Sequence, residues 1–381
     1  MENYIPPTEF ENRVKRTQEV MKQRKLDALL IFSGYEHKEA NICYLTNHHI
    51  TIFPAWGRAG GFSALILSAD DAPTLIAGCI LYEKPVIGVK DMITVSKISD
   101  HPKAILKVIK DEHLEQAHIG LVGSDIVPVS LWQPITQALQ KAKIELADDI
   151  LDSQMMIKSN NELNILKESA KLADIGLEAA IEVGKEGVRE VDVAAAAFKA
   201  SMEAGADHVA RWVFKSSKQD VSIKWPLVTN RRIEKGEILG LDYVGWHKNY
   251  CWDEIRRWVA GTPNLKQKEI LDYAVELCNT VIKSMKPGVT CGELANIAIQ
   301  YGEEIGYKVR PSGHGIGINC TMKPRIELGD KTVLEPNMVL CQESAIIPNP
   351  EVASSWINIE EMVVVTKTGA EVITKCPRIL W

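Results

Sequence analysis

No apolar run in this chain approaches the roughly 18 residues of a membrane-spanning helix, so no span is expected. The N-terminus, Met-Glu-Asn-Tyr-Ile-Pro-Pro, lacks the basic start and apolar core of a secretion signal. There is no excess of positive charge either. The formal net charge is -6, which gives no electrostatic reason to bind nucleic acid or an anionic membrane. No glycine-rich phosphate loop opens any expected N-terminal helix, so nucleotide binding has no support. The eight cysteines (Cys43, Cys79, Cys251, Cys278, Cys291, Cys320, Cys341 and Cys376) contain no Cys-x-x-Cys pair and no zinc-finger spacing. Without a secretion signal they read as reduced, mostly buried thiols, and the expected compartment is the cytoplasm.

A chain of 381 residues is too long for one ordinary core. Its hydrophobic fraction of 46% and charged fraction of 25% are those of a globular protein, so two folded domains are expected, 1–152 and 153–381. Residues 8–27 carry Phe10, Val14, Val20 and Met21 among charges, as a surface helix does. Ala28 to Ser33, Ser63 to Ser68 and Thr74 to Ala77 read as buried strands. Further helix and strand signals alternate up to Ala142, which describes an α/β domain with a covered sheet. Asn160 or Asn161 is placed to cap a long helix beyond the boundary. Helices are also expected over Val191 to Ala204, Gln267 to Met285 and Cys291 to Ile305, interleaved with strands in an α+β domain.

The densest chemistry lies between Ile238 and Gly261. Two apolar and aromatic runs flank Gly-Trp-His-Lys-Asn, as a strand, turn and returning strand do. With His247 and Lys248 at the tip, Asp242 lies directly opposite Asp253, and facing residues share one face of a sheet. Two carboxylates roughly 5 Å apart repel unless a positive charge sits between them. Three more polar residues stand where strands or tight turns favour apolar ones: His314 in Pro-Ser-Gly-His-Gly-Ile-Gly, Glu343 in Leu-Cys-Gln-Glu-Ser, and Glu360 in Asn-Ile-Glu-Glu-Met-Val. One histidine and four carboxylates form an oxygen-rich set suited to manganese, iron, cobalt or zinc, with room for one or two ions.

The order of these motifs resembles the pita-bread superfamily of methionine aminopeptidase, aminopeptidase P, prolidase and creatinase. The signature is an Asp pair eleven residues apart, Gly-His-Gly-x-Gly, Leu-Glu-Pro-x-Met-Val before a Glu, and Ile-Glu-Glu before Val-Val-Thr. The first domain is similar to the creatinase-type N-terminal domain, and Met-Ile-Lys-Ser to its linker. The resemblance implies a pita-bread C-terminal domain of α+β class behind an α/β N-terminal domain. It further implies that Asp242, Asp253, His314, Glu343 and Glu360 hold the metal, manganese first among the candidates, and that Glu343 acts as base toward a metal-bound water. A homodimer is implied as well.

Two positions depart from the peptidases. Trp225 and Thr321 stand where those enzymes carry substrate-side histidines, and neither supplies a cationic donor. The stretch Ala-Trp-Gly-Arg-Ala-Gly-Gly resembles a creatinase segment that reaches across the dimer to the substrate carboxylate, which assigns Trp56 and Arg58 to substrate binding. Arg325 resembles a second carboxylate-binding arginine.

The expected activity is hydrolysis of a C–N bond in a small, carboxylate-bearing, amino-acid-like molecule. Three alternatives stand beside it: an Xaa-Pro dipeptidase or aminopeptidase, a metal-dependent lyase acting on an osmolyte-like substrate, and a binding protein without turnover. Plainer readings of the residues also exist. Arg256 and Arg257 would neutralise a buried carboxylate cluster, Arg58 and Arg325 would form ion pairs, and Trp56 and Trp225 would be core or interface aromatics. His48, His49, His208 and His247 read as ordinary polar or exposed residues, and Cys251, Cys320 and Cys341 as small buried apolar ones.

Overall fold

The computed structural model describes residues 5–34, 40–49, 61–78, 85–217, 228–351 and 356–381, with the backbone alone for 210–217. Two compact units are resolved, Met1–Met155 and Met156–Trp381.

The first unit begins with α1 (Pro7–Arg24), β1 (Ala28–Gly34), α2 (Ala40–Thr46), β2 (Phe62–Ser68), β3 (Thr74–Ala77) and β4 (Asp91–Thr94). It continues through α3 (His101–Asp111), β5 (His118–Val122), α4 (Val129–Ala138), β6 (Lys143–Leu146) and α5 (Asp148–Met156). The strands form one mixed sheet in the order β4-β3-β2-β1-β5-β6. Ala28, Leu30 and Phe32 of β1 share a core with Ala104, Ile105, Val108 and Ile109 of α3 and with Leu131 and Ile135 of α4. Leu29 and Ile31, pointing to the other face, are also fully buried. That is why β1 is a continuous apolar run rather than an alternating one.

The second unit contains α6 (Asn160–Val183), α7 (Glu190–Glu203), β7 (His208–Ser217), β8 (Ile238–His247), β9 (Tyr250–Val259), α8 (Leu265–Ser284) and α9 (Cys291–Ile305). After these come β10 (Lys308–Arg310), β11 (Gly313–Gly315), β12 (Met322–Arg325), β13 (Val339–Gln342), β14 (Ala345–Ile347), β15 (Glu361–Val365) and β16 (Ala370–Val372). The cap of α6 is Ser159, one residue before the expected asparagines. Its side chain accepts from the Glu162 amide while Glu162 reaches back, a complete capping box. Thr290 and Glu293 start α9 in the same way, and Gly306 ends it at φ 73.

Three antiparallel sheets are formed among the described residues, β7-β8-β9, β12-β11-β13-β15-β16 and the short pair β10-β14. Leu340, Val363 and Val365 share a core with α8 and α9. Alternation along the strands therefore turns Cys341, Glu343 and Met362 to the opposite face. On the three-stranded sheet the residues alternating with Asp253 face α6 and α7. The Tyr243 hydroxyl donates to the Ala197 carbonyl oxygen at 3.0 Å, and Trp258 Nε1 donates to the Gly184 carbonyl oxygen at 2.9 Å.

The hairpin register differs from the expected one. Lys248 and Asn249 both adopt positive φ, 50 and 74, and form a two-residue turn, so His247 pairs with Tyr250. Asp242 consequently faces Ile255, and Asp253 faces Val244. The two aspartates still share a face, but as diagonal neighbours, whose Cα atoms are roughly 7–8 Å apart. No helix among the described residues is long and apolar enough to cross a membrane.

Candidate metal centre

The site is built where β9 meets the face of the five-stranded sheet that is turned away from α8 and α9. Two backbone bonds join the layers, from the Glu360 amide to the Ile255 carbonyl oxygen at 3.2 Å and from the Cys251 amide to the Gly317 carbonyl oxygen at 2.7 Å. On β11 and its neighbours the register sets one row across the face: Arg325, His314, Cys341 and Met362 stand opposite one another in turn. Ser312 and Glu343 lie one pleat away, joined by a backbone bond of 3.2 Å and by the Ser312 hydroxyl, which donates to Glu343 Oε1 at 2.7 Å.

His314 is held in one tautomer. Its Nδ1 lies 3.1 Å from the Gly315 carbonyl oxygen, which can only accept, so Nδ1 carries the proton. Burial lowers the imidazole pKa, the Glu343 charge and the backbone acceptors at Gly315 and Cys320 oppose that, and the Arg325 charge adds to it, with a net shift that favours the neutral ring. The Nε2 lone pair is left pointing at oxygen, 3.6 Å from Asp253 Oδ2 and 3.8 Å from Glu360 Oε1. Neither distance is a hydrogen bond.

The carboxylates are in a similar position. Asp253 and Glu360 are 6% and 1% exposed. Asp253 Oδ1 and Glu360 Oε1 find no hydrogen-bond partner among the described residues. Burial raises the pKa of Asp253 well above the ordinary carboxylate range, with Cys320 and the Asp242 and Glu343 charges adding to the effect. Burial likewise raises Glu360, followed by the charges of Asp253, Glu343 and Asp242. Asp253 and Glu360 thus feel the charges of Asp242 and Glu343, and His314 that of Glu343, with acceptors converging on acceptors. The group whose ligand atoms lie within 4.8 Å of one another holds Asp253, His314, Cys341 and Glu360 and not Asp242 or Glu343. This donor set fits a divalent cation, which would satisfy the orphaned oxygens and the Nε2 lone pair together.

Of the two arginines in the plainer reading, Arg257 lies within electrostatic reach of Asp242, on the face of β9 that carries Asp253, whereas Arg256 does not face the cluster. Arg256 projects to the other side of β9 and pairs with Glu254 at 2.6 Å and Glu361 at 2.8 Å. Arg257 Nη2 donates to Asn358 Oδ1 at 2.7 Å. Asn358 Nδ2 in turn donates to the Glu343 carbonyl oxygen at 3.3 Å, which ties the Arg257 side to the backbone at Glu343.

Arg325 is exposed but faces His314 across β11 and β12, at the rim of the cluster. Thr321 is exposed, its hydroxyl 3.8 Å from the Cys320 sulfur. Trp56, Arg58 and Trp225 lie outside the described residues.

The cysteines were the part of the site that composition did not reveal. Cys320 donates to Asp253 Oδ2 at 3.0 Å, and Cys341 Sγ falls within the group formed by Asp253, His314 and Glu360. The available signal was alternation, since Cys341 precedes Glu343 by two residues and so shares its face. Ser312 was readable in the same way, two residues before His314.

Comparison with known proteins finds relatives along nearly the whole chain. Residues 164–367 match metallopeptidase family M24, and residues 13–157 match the creatinase/prolidase N-terminal domain. The Xaa-Pro dipeptidase of Pyrococcus horikoshii is 28% identical over 369 residues, covering 96% of this chain and 97% of its own. That of Pyrococcus furiosus is 33% identical over 264 residues, covering 68% of this chain and 74% of its own. The crystal structure of the prolidase from Pyrococcus horikoshii OT3 superposes with a TM-score of 0.80 at 27% identity, covering 97% of this chain and 100% of that one. The chain belongs to metallopeptidase family M24, a metal-dependent hydrolase of the prolidase/creatinase superfamily with a creatinase-type N-terminal domain and a pita-bread C-terminal domain.

Proposed function

We propose that the protein hydrolyses a C–N bond in a small, carboxylate-bearing, amino-acid-like substrate, with Asp242, Asp253, His314, Glu343 and Glu360 holding one or two divalent ions. The observation that carries this is the buried His314 Nε2 lone pair directed at Asp253 and Glu360, an arrangement that a cation makes favourable. A divalent ion held by these residues would supply Lewis acidity toward the scissile carbonyl and would lower the pKa of water at the site. Glu343 takes the proton as general base, oriented by the Ser312 hydroxyl on its Oε1. Arg325, standing beside His314, grips the substrate carboxylate through its planar fork. Trp56 and Arg58 from the second subunit of a homodimer, together with Trp225, complete the substrate site in this reading. The proposed compartment is the cytoplasm.

The names of the two Pyrococcus relatives favour a second reading, cleavage of dipeptides ending in proline. Against it stands Thr321, whose hydroxyl cannot act as the cationic donor that an imidazole provides. A substrate panel decides between them. Metal-loaded protein is assayed on Ala-Pro and Gly-Pro, and on N-acyl, guanidino and cyclic amidine carboxylates, in water enriched in oxygen-18. Turnover of the second group with label in the product is expected, with poor turnover of the first. Substantial Ala-Pro cleavage selects the dipeptidase, and an alkene product without label overturns hydrolysis.

A further inference from the structure

Cys341 lies on the face of β13 that carries the proposed metal ligands. The ladder places it directly opposite His314, and the next outward position on its strand is Glu343. It is fully buried. Its Sγ, a ring nitrogen of His314 and one oxygen each of Asp253 and Glu360 all lie within 4.8 Å of one another. Donors on opposite sides of one ion, at about 2.0–2.3 Å each, are separated by at most about 4.6 Å. His314 Nε2 already stands at such separations from the two carboxylate oxygens, and the sulfur, no more than 4.8 Å from each of the other three donors, reaches the same ion by a shift of about an ångström or less. Among the described residues the Sγ makes one long hydrogen bond, 3.9 Å to the Asp253 carbonyl oxygen, which coordination would replace at little cost, and it lies within electrostatic reach of the buried Lys158.

We infer that Cys341 is a sulfur ligand of the divalent ion, so that an otherwise oxygen-rich site favours a thiophilic ion such as zinc, iron(II) or cobalt(II) over manganese. This rests on the reading of the cluster as a metal site. On binding, the thiol proton leaves to solvent as the sulfur–metal bond forms, and no electrons change hands. Cys320, which donates to Asp253 Oδ2 at 3.0 Å, stays a neighbour of the ligand set and not a member.

Cobalt(II) tests the assignment without any assay of activity. The full chain is stripped with a chelator, loaded with cobalt(II), and examined by absorption spectroscopy and elemental analysis. Wild type is expected to show a sulfur-to-cobalt charge-transfer band in the near ultraviolet together with visible ligand-field bands. Cys341→Ser is expected to lose the charge-transfer band, keep bound cobalt, and reduce the preference for zinc over manganese by about tenfold or more. Cys320→Ser is expected to keep the band. Cobalt bound to wild type with ligand-field bands alone overturns the sulfur ligand and leaves the metal site standing. A band that survives in Cys341→Ser and disappears in Cys320→Ser also overturns it. Absence of cobalt from wild type overturns both the ligand and the metal reading beneath it.

Discussion

His314 Nε2 stands 3.6 Å from Asp253 Oδ2, and with Nδ1 committed to the Gly315 carbonyl it has no second proton to offer. A lone pair facing a buried carboxylate is unfavourable until a cation arrives. Stripping divalent ions should therefore lower the Tm, and restoring them should raise it. An ion at a hundred times its Kd stabilises by about 2.7 kcal/mol. At roughly 2–4 °C per kcal/mol the shift is several degrees. Asp253→Asn should behave oppositely, since it removes one of the repelling buried charges. The stripped variant is expected to melt above stripped wild type and to gain nothing from added metal. Identical melting of wild type with and without divalent ions counts against the site.

Ser312 holds Glu343 through a 2.7 Å hydrogen bond to Oε1. A hydrogen bond to a charged group contributes about 1.5–3 kcal/mol, so its loss loosens the base without removing it. Ser312→Ala should lower kcat by about tenfold or more with KM and metal content near wild type, and Ser312→Thr should recover most of the loss. A change confined to KM, or loss of metal, would assign Ser312 another role.

How far these relationships could be read from sequence depended on the kind of signal. The run Ala-Leu-Leu-Ile-Phe of β1 and the strand Thr74–Ala77 announce themselves, because strands covered on both faces need apolar residues throughout. The shared face of Asp242 and Asp253 follows from the period of two. Their register did not follow, because it depends on which two residues accept positive φ, and Lys248 and Asn249 do so. Cys341 stayed hidden because a buried thiol has the composition of a small apolar residue. Its meaning comes from the cross-strand partner, His314, which is 27 positions away in the chain. His48 was misjudged in the opposite direction. It reads from sequence as an ordinary polar or exposed residue, yet it is 2% exposed beside Ser63.

Arg325 faces His314 from the neighbouring strand, and its guanidinium is exposed at the rim of the cluster. If it grips the substrate carboxylate, Arg325→Ala should raise KM by about tenfold or more, the equivalent of one charge-assisted contact of about 1.5–3 kcal/mol. Arg325→Lys keeps the charge but loses the planar fork and should recover only part of the affinity. Equal KM values for all three proteins on an accepted substrate would remove Arg325 from substrate binding.

The buried imidazole of His48 makes the first unit sensitive to acid. Its Nε2 lies 3.0 Å from the Ser63 hydroxyl, and burial lowers its pKa from 6.5 to about 4. A base with a depressed pKa favours the fold while neutral. Its stabilising effect is complete above pH 6.5 and is lost as pH falls from 6.5 toward 4. The shift corresponds to about 3 kcal/mol in full, of which about 2 kcal/mol is gone by pH 5. Burial also lowers the pKa of His101, although its backbone hydrogen bonds offset part of the effect, so some acid sensitivity will remain without His48. The test is the difference in urea midpoint between pH 7 and pH 5, measured on wild type and on His48→Gln. The variant should be weaker at pH 7 but show a much smaller drop at pH 5. Parallel losses in the two proteins would mean that protonation of His48 does not oppose the fold.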